Sequence, residues 1–142
     1  MSRIVNTANP GSIRNGCRRS IAEMLRRLMM KQQVDQETKD MAAAIVYYLL
    51  EIDNTIETTT RAWEDRNYFL KADRFRTEWS WAKPAADRLE RIVLGNRWSE
   101  LPRELGTLAP HFGDIKIAKM TRSESTWAGA HARLLAKNAP KE

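Results

Sequence analysis

The chain holds a single cysteine, Cys17, among its 142 residues. An internal disulfide is therefore excluded, and a lone thiol fits a reducing compartment. Histidine is almost as scarce, with only His111 and His131. Neither has a glutamate three residues before it, so the Glu-x-x-His pairs of a di-iron bundle are missing. There is no Gly-rich phosphate loop, no H-E-x-x-H, no cysteine pair with metal spacing and no G-x-S-x-G. Little remains for catalysis, and no cofactor or metal is expected.

Long apolar runs are missing too. The longest strongly apolar stretch, residues 41–50, is ten residues, against the roughly 20 that span a bilayer. The opening MSRIVNTANPGS has no apolar segment of the secretory kind. No membrane partner is expected, and a cytoplasmic location is. Glycine and proline are absent between Gly16 and Pro84. A β fold needs such residues at its turns, so their absence favours long helices. One unbroken helix over that span would be about 100 Å long, while a domain of this size has a radius of gyration of about 15 Å. The chain must turn inside it.

Two apolar stripes show where. Ile45, Leu49, Ile52, Ile56, Thr59 and Trp63 alternate spacings of four and three, as do Tyr68, Ala72, Phe75, Trp79, Ala82, Ala86, Leu89 and Val93. Each is one face of a helix. The five-residue step from Trp63 to Tyr68 would leave the stripes about 140° apart on a straight helix. A reversal near Glu64–Asn67 removes the mismatch and makes a long antiparallel hairpin. The predicted fold is all-α: a four-helix-like antiparallel bundle on that central hairpin, with shorter C-terminal helices, in one domain over 1–142 whose ends, 1–11 and 138–142, fray.

Helix 1 is expected over 12–31, and helix 2 from a cap at Asp35 to about Trp63. Helix 3 is expected from a cap at Asp65 to about Leu94, with Gly95 as its C-terminal stop, kinked but unbroken around Pro84, with Ser80 able to restart it. Ser99 is expected to cap a short helix ending near Ala109. Residues 114–120 read as extended or helical, and a last helix covers 124–137.

The net charge of +6 is unevenly placed: residues 1–31 carry +6, 115–142 carry +4 and the middle −4. The plainer reading is that basic terminal helices pack on the acidic hairpin. The sharper is a basic surface for an anionic partner. On helix 1, Arg19, Arg26 and Arg27 recur one and two turns apart, a spacing suited to non-specific phosphate contact, with Glu23 among them on the face opposite Cys17, Ile21, Met24, Leu25 and Leu28. Nothing marks a sequence-specific reader of nucleic acid.

Five tryptophans are many for this length. Trp63 and Trp79 lie on the stripes and are expected in the core. Trp81 points away from them, on a line with Leu70, Arg74, Thr77 and Arg88. It either packs under another segment or, if exposed between arginines, forms a binding hot spot. Three smaller constellations have both structural and chemical readings. Cys17 lies on the apolar face but near a helix start and two arginines, so it is a core or a reactive thiol. His111 and Asp114 form an H-x-x-D pair. Asp53 and Glu57, one turn apart, call for a partner among Arg74, Arg76 and Arg88.

The leading expectation is a non-enzymatic interaction or scaffold protein, homo-oligomeric, with a protein partner. The candidate binding surface comprises Trp81, Arg74, Arg88, Arg19, Arg26 and Arg27. The alternatives are a nucleic-acid-associated protein using helix 1 and a small-molecule binder with a Trp-lined pocket.

Overall fold

A computed structural model describes residues 9–139. The protein is all-α, as its periodicity predicts, with no strand among the described residues. Six α-helices follow in order: α1 (Pro10–Met30), α2 (Gln36–Asp65), α3 (Phe69–Glu78), α4 (Ala82–Leu94), α5 (Leu101–Leu108) and α6 (Ala130–Lys137). Of the ends expected to fray, residues 1–8 and 140–142 lie outside the described residues, while Asn9 already caps α1 by accepting the Ser12 N–H at 2.8 Å.

The core forms around α2, which packs against α1, α3, α4 and α6. Residues 41–46 are buried on every side. Three consecutive alanines there, Ala42 to Ala44, leave room for helices to approach on several faces. Asp35 caps α2 as its sequence suggests, accepting the Thr38 N–H at 2.9 Å. Lys31 reaches both Asp35 (3.0 Å) and Glu37 (2.7 Å), and Arg27 also holds Glu37 (2.8 Å), so the α1–α2 corner is tied by charge.

The reversal after α2 is a Schellman turn. Tyr68 N–H donates to Trp63 O at 2.8 Å and Asn67 N–H to Glu64 O at 2.9 Å, with Asn67 left-handed at φ 65°. Asp65 thus ends α2 instead of capping the next helix, and α3 starts at Tyr68 with no side-chain cap. The expected third helix is two helices. It breaks at residues 79–81, where Trp79 N–H closes on Phe75 O and Ser80 Oγ on Thr77 O. Pro84 explains the break. Its ring clashes with the carbonyl four residues back, at Ser80, whereas as the third residue of α4 it needs no helical N–H partner.

Helix α4 ends in a second Schellman turn, in which the left-handed residue is Asn96 (φ 55°) and not Gly95 (φ −85°). Ser99 caps nothing: Trp98–Glu100 form a 3-10 turn that runs into α5. The last helix is shorter than its stripe suggests, because Gly129 sits at φ 78° ahead of Ala130. A side chain there would be strained by that φ and would meet Arg133 Nη1 at 3.3 Å. Between α5 and α6, residues 115–123 have no regular structure and cross α1 as a strap.

Candidate functional site

The strap determines what the basic face of α1 can do. Arg18 donates to His111 O (3.0 Å) and grips the Asp114 carboxylate (2.6 Å). Arg19 bonds Glu23 (2.6 Å) and Lys116 O (3.3 Å), and Arg26 donates to Ile117 O at 2.7 Å. Arg27 forks onto Glu37 at 2.8 and 3.2 Å. All three arginines singled out for phosphate contact are therefore engaged inside the molecule. Glu23, read from sequence as part of the solvated face, is 1% exposed. Burial opposes its charge. Hydrogen bonds from the Thr121 hydroxyl, the Arg122 N–H, the Arg19 guanidinium and the Thr121 N–H outweigh that and hold the carboxyl down at about 2.

Trp81 is half-buried. It stacks on His111 with ring centroids 3.8 Å apart and planes 9° from parallel, lies 5.7 Å from Trp79, and meets Phe112 edge-on. Burial and then the charge of Arg88 lower the His111 pKa below its usual 6.5. Arg88 itself donates to Glu104 at 3.0 and 3.2 Å, tying α4 to α5. The break at 79–81 removes the straight line on which Trp81, Arg74 and Arg88 were expected. Trp81 and Arg88 gather around His111, and Arg74 lines a groove on the α2–α3 turn.

The smaller constellations also resolve. His111 and Asp114 do not pair, since one stacks on Trp81 and the other holds Arg18. Of the expected partners, Arg76 forks onto Glu64 and also lies 3.8 Å from Glu57, while Arg88 goes to Glu104. Asp53 is left with its pKa raised, first by burial and then by Glu57. Cys17 is buried, and desolvation followed by the charge of Glu51 pushes its thiol up to about 11. A raised pKa and burial both oppose thiolate formation, which favours the core reading of Cys17 over the reactive one. Among the described residues, no group of three His, Cys, Asp or Glu is placed to hold a metal ion, and no helix is long and apolar enough to cross a membrane.

Among the described residues, internal packing leaves a run of large apolar side chains uncovered at the tip of the α2–α3 hairpin. Tyr68, Phe69 and Leu70 follow one another and are 52%, 55% and 62% exposed. The Schellman turn lifts them off the end of α2, which stops before it can cover them. Beside them opens a groove of about 820 Å³, lined by Trp63, Leu70, Lys71, Arg74, Phe75 and Glu78 among others. Its floor is the edge-on pair of Trp63 and Phe75, 5.1 Å apart, with the Lys71 ammonium 4.3 Å above the Trp63 ring. Arg76 forks onto Glu64 at 2.8 and 3.0 Å and fixes α3 against α2. Arg14 lies over Phe75 (4.9 Å) and Trp79 (5.8 Å) and backs the groove from α1. Tyr68 was read as part of a buried seam, Leu70 only as a neighbour on the Trp81 line, and Phe69 drew no reading. Their one sequence signal is three large apolar residues in a row beside a turn. Met29, Met30 and Val34 are also exposed, near a smaller groove of about 310 Å³ between the α1–α2 corner and α5.

No protein-family model, curated protein or solved structure matches the chain. What the geometry defines is a class: an all-helical protein with an aromatic, exposed hairpin tip.

Proposed function

We propose that this chain is a non-catalytic protein-interaction module whose partner docks on the tip of the α2–α3 hairpin. The observation that carries this reading is the exposure of Tyr68, Phe69 and Leu70 beside a groove whose shape is already set by the Arg76–Glu64 fork and the Schellman turn. Burying an exposed apolar side chain of this size contributes about 1.5–3 kcal/mol. A cluster of three with tryptophan beneath it has the make-up of an interface hot spot. Because the tip is held in place before binding, little ordering entropy opposes association.

Two further features support an interaction role over the alternatives. The arginines of α1 have internal partners, which weakens the case for nucleic acid. His111 lies flat on Trp81 and His131 meets Trp98 edge-on, so both histidines serve in packing. The reading is tested by placing a photo-cross-linking residue at Phe69 in the full chain inside its native cell, with a control at exposed Arg103. Adducts at position 69 that vanish with Leu70→Glu are the expected result. Equal labelling at both positions, or labelling indifferent to Leu70→Glu, refutes it.

A further inference from the structure

We infer that the partner seated on the tip is a second copy of this chain, bound about a two-fold axis. This rests on the interaction reading above and names its occupant.

Charge is the first argument. The chain carries +6 overall, so two copies repel wherever their surfaces share that excess. The tip does not share it. Residues 61–80 hold five basic and four acidic side chains, close to neutrality. A polyanion finds no excess of positive charge there, and a strongly basic partner finds no excess of negative. A mixed, nearly neutral surface suits another of the same kind.

Shape is the second. In a two-fold contact the same patch meets itself, so each patch must hold both a protrusion and a receptor. The tip holds both: Phe69 and Leu70 project, and beside them runs the groove lined by Trp63 and Phe75, with Lys71 over the one ring and Arg14 over the other. The third argument is an unused charge pair. Arg74 and Glu78 stand one turn apart on the groove, and among the described residues neither forms an internal salt bridge. Two antiparallel α3 helices facing across the axis bring Arg74 of each copy to Glu78 of the other. The opposite signs then fix the register of the pair.

Sedimentation velocity on the full chain, from about 1 to 300 µM, reads the equilibrium directly, because an interface this small is expected in the micromolar range. Wild type should pass from monomer to dimer across that range. Leu70→Glu should shift the midpoint at least about tenfold upward, since it places a charge in each half of an apolar contact. Circular dichroism should show an unchanged fold, Leu70 being exposed. Arg74→Glu alone should weaken the dimer, and Arg74→Glu with Glu78→Arg should restore it, because the swap is symmetric across the axis. A wild type that stays monomeric, or a dimer indifferent to all three variants, overturns the inference. A monomeric protein whose Phe69 adducts are with another protein, and still vanish with Leu70→Glu, sinks the dimer alone and leaves the interaction reading standing. A wild type that forms no adducts at position 69, or adducts that persist with Leu70→Glu, sinks the reading itself.

Discussion

Glu23 and Thr121, 98 residues apart in the chain, share two hydrogen bonds: the Thr121 N–H donates to Oε1 at 2.6 Å and its hydroxyl donates to Oε2. The Arg122 N–H adds a third donor at 2.8 Å and Arg19 Nε a fourth at 2.6 Å. Arg122 also reaches back to Ser20 Oγ (2.9 Å) and Gly16 O (3.3 Å). The basic strap thus packs on basic α1, while α1 and α6 both pack on α2. The Glu23 carboxylate and a row of backbone carbonyls absorb the charge of α1 and the strap, and the acidic middle adds Asp114 on Arg18 and the Asp35–Glu37 corner on Arg27 and Lys31.

Removing that carboxylate should release the strap. Glu23→Ala leaves Arg19 and two backbone N–H groups without their acceptor in a covered site, and should cost roughly 2–4 kcal/mol in urea unfolding. Glu23→Gln keeps the volume and one good acceptor and should cost less. Hydrogen exchange at Thr121 and Arg122 should accelerate in Glu23→Ala more than at any amide of α2. A loss under about 0.5 kcal/mol would mean the clamp adds nothing beyond its packing.

The same group sets a pH dependence with a definite sign. The folded pKa of Glu23 is about 2, below its ordinary value, so the charged form is what the fold stabilises. Its contribution is fully present above about 4.5 and is lost as pH falls from there toward 2. The stability gap between wild type and Glu23→Gln should be constant from pH 7 to about 5 and then narrow on acidification. Denaturant midpoints at a series of pH values measure it. A gap that widens in acid would reverse the sign and refute the assignment.

What could be read from sequence was local, and what could not was tertiary. The α2 stripe and the Asp35 cap depend on residues three and four apart, so spacing alone reveals them. The reversal after Trp63 showed as a phase mismatch. The break at residues 79–81 did not, because Ala82, Ala86, Leu89 and Val93 resume the stripe in phase. Trp81 was therefore assigned a direction along a helix that is not continuous there. Glu23 looked solvated because its partners lie in the strap. Tyr68 looked buried because a stripe marks a face without saying whether another element reaches it. Asn67 and Asn96 were missed as helix stops since asparagine serves equally well in caps and turns.

The two left-handed asparagines should respond differently to glycine. Asn67 pays the usual strain of a side chain at positive φ, and Asn67→Gly should raise the melting temperature by about 1–3 °C. Asn96 occupies the equivalent place after α4, but its side chain also accepts the Trp98 indole N–H. Asn96→Gly relieves the strain and loses that bond, so it should leave stability unchanged or lower it. Equal gains at both sites in thermal melts would show that the Trp98 bond is worth nothing.

The Trp81–His111 stack should be visible as a titration of fluorescence. At 3.8 Å and 9° the imidazole covers one face of the indole. Burial and Arg88 favour the neutral ring, so the folded pKa lies below 6.5. Stability from this neutral stack is present above 6.5 and is lost as pH falls through the folded value. An imidazolium in contact with indole quenches its emission. The difference spectrum between wild type and Trp81→Phe should therefore be bright at pH 8 and fall on acidification, with a midpoint below 6.5. His111→Phe keeps an aromatic ring over Trp81 but carries no proton, so it should abolish the titration while leaving the fold intact. His111→Ala uncovers the indole and should shift its emission to the red at every pH. If the same acid transition survives in His111→Phe, another group is responsible and the stack is electrostatically silent.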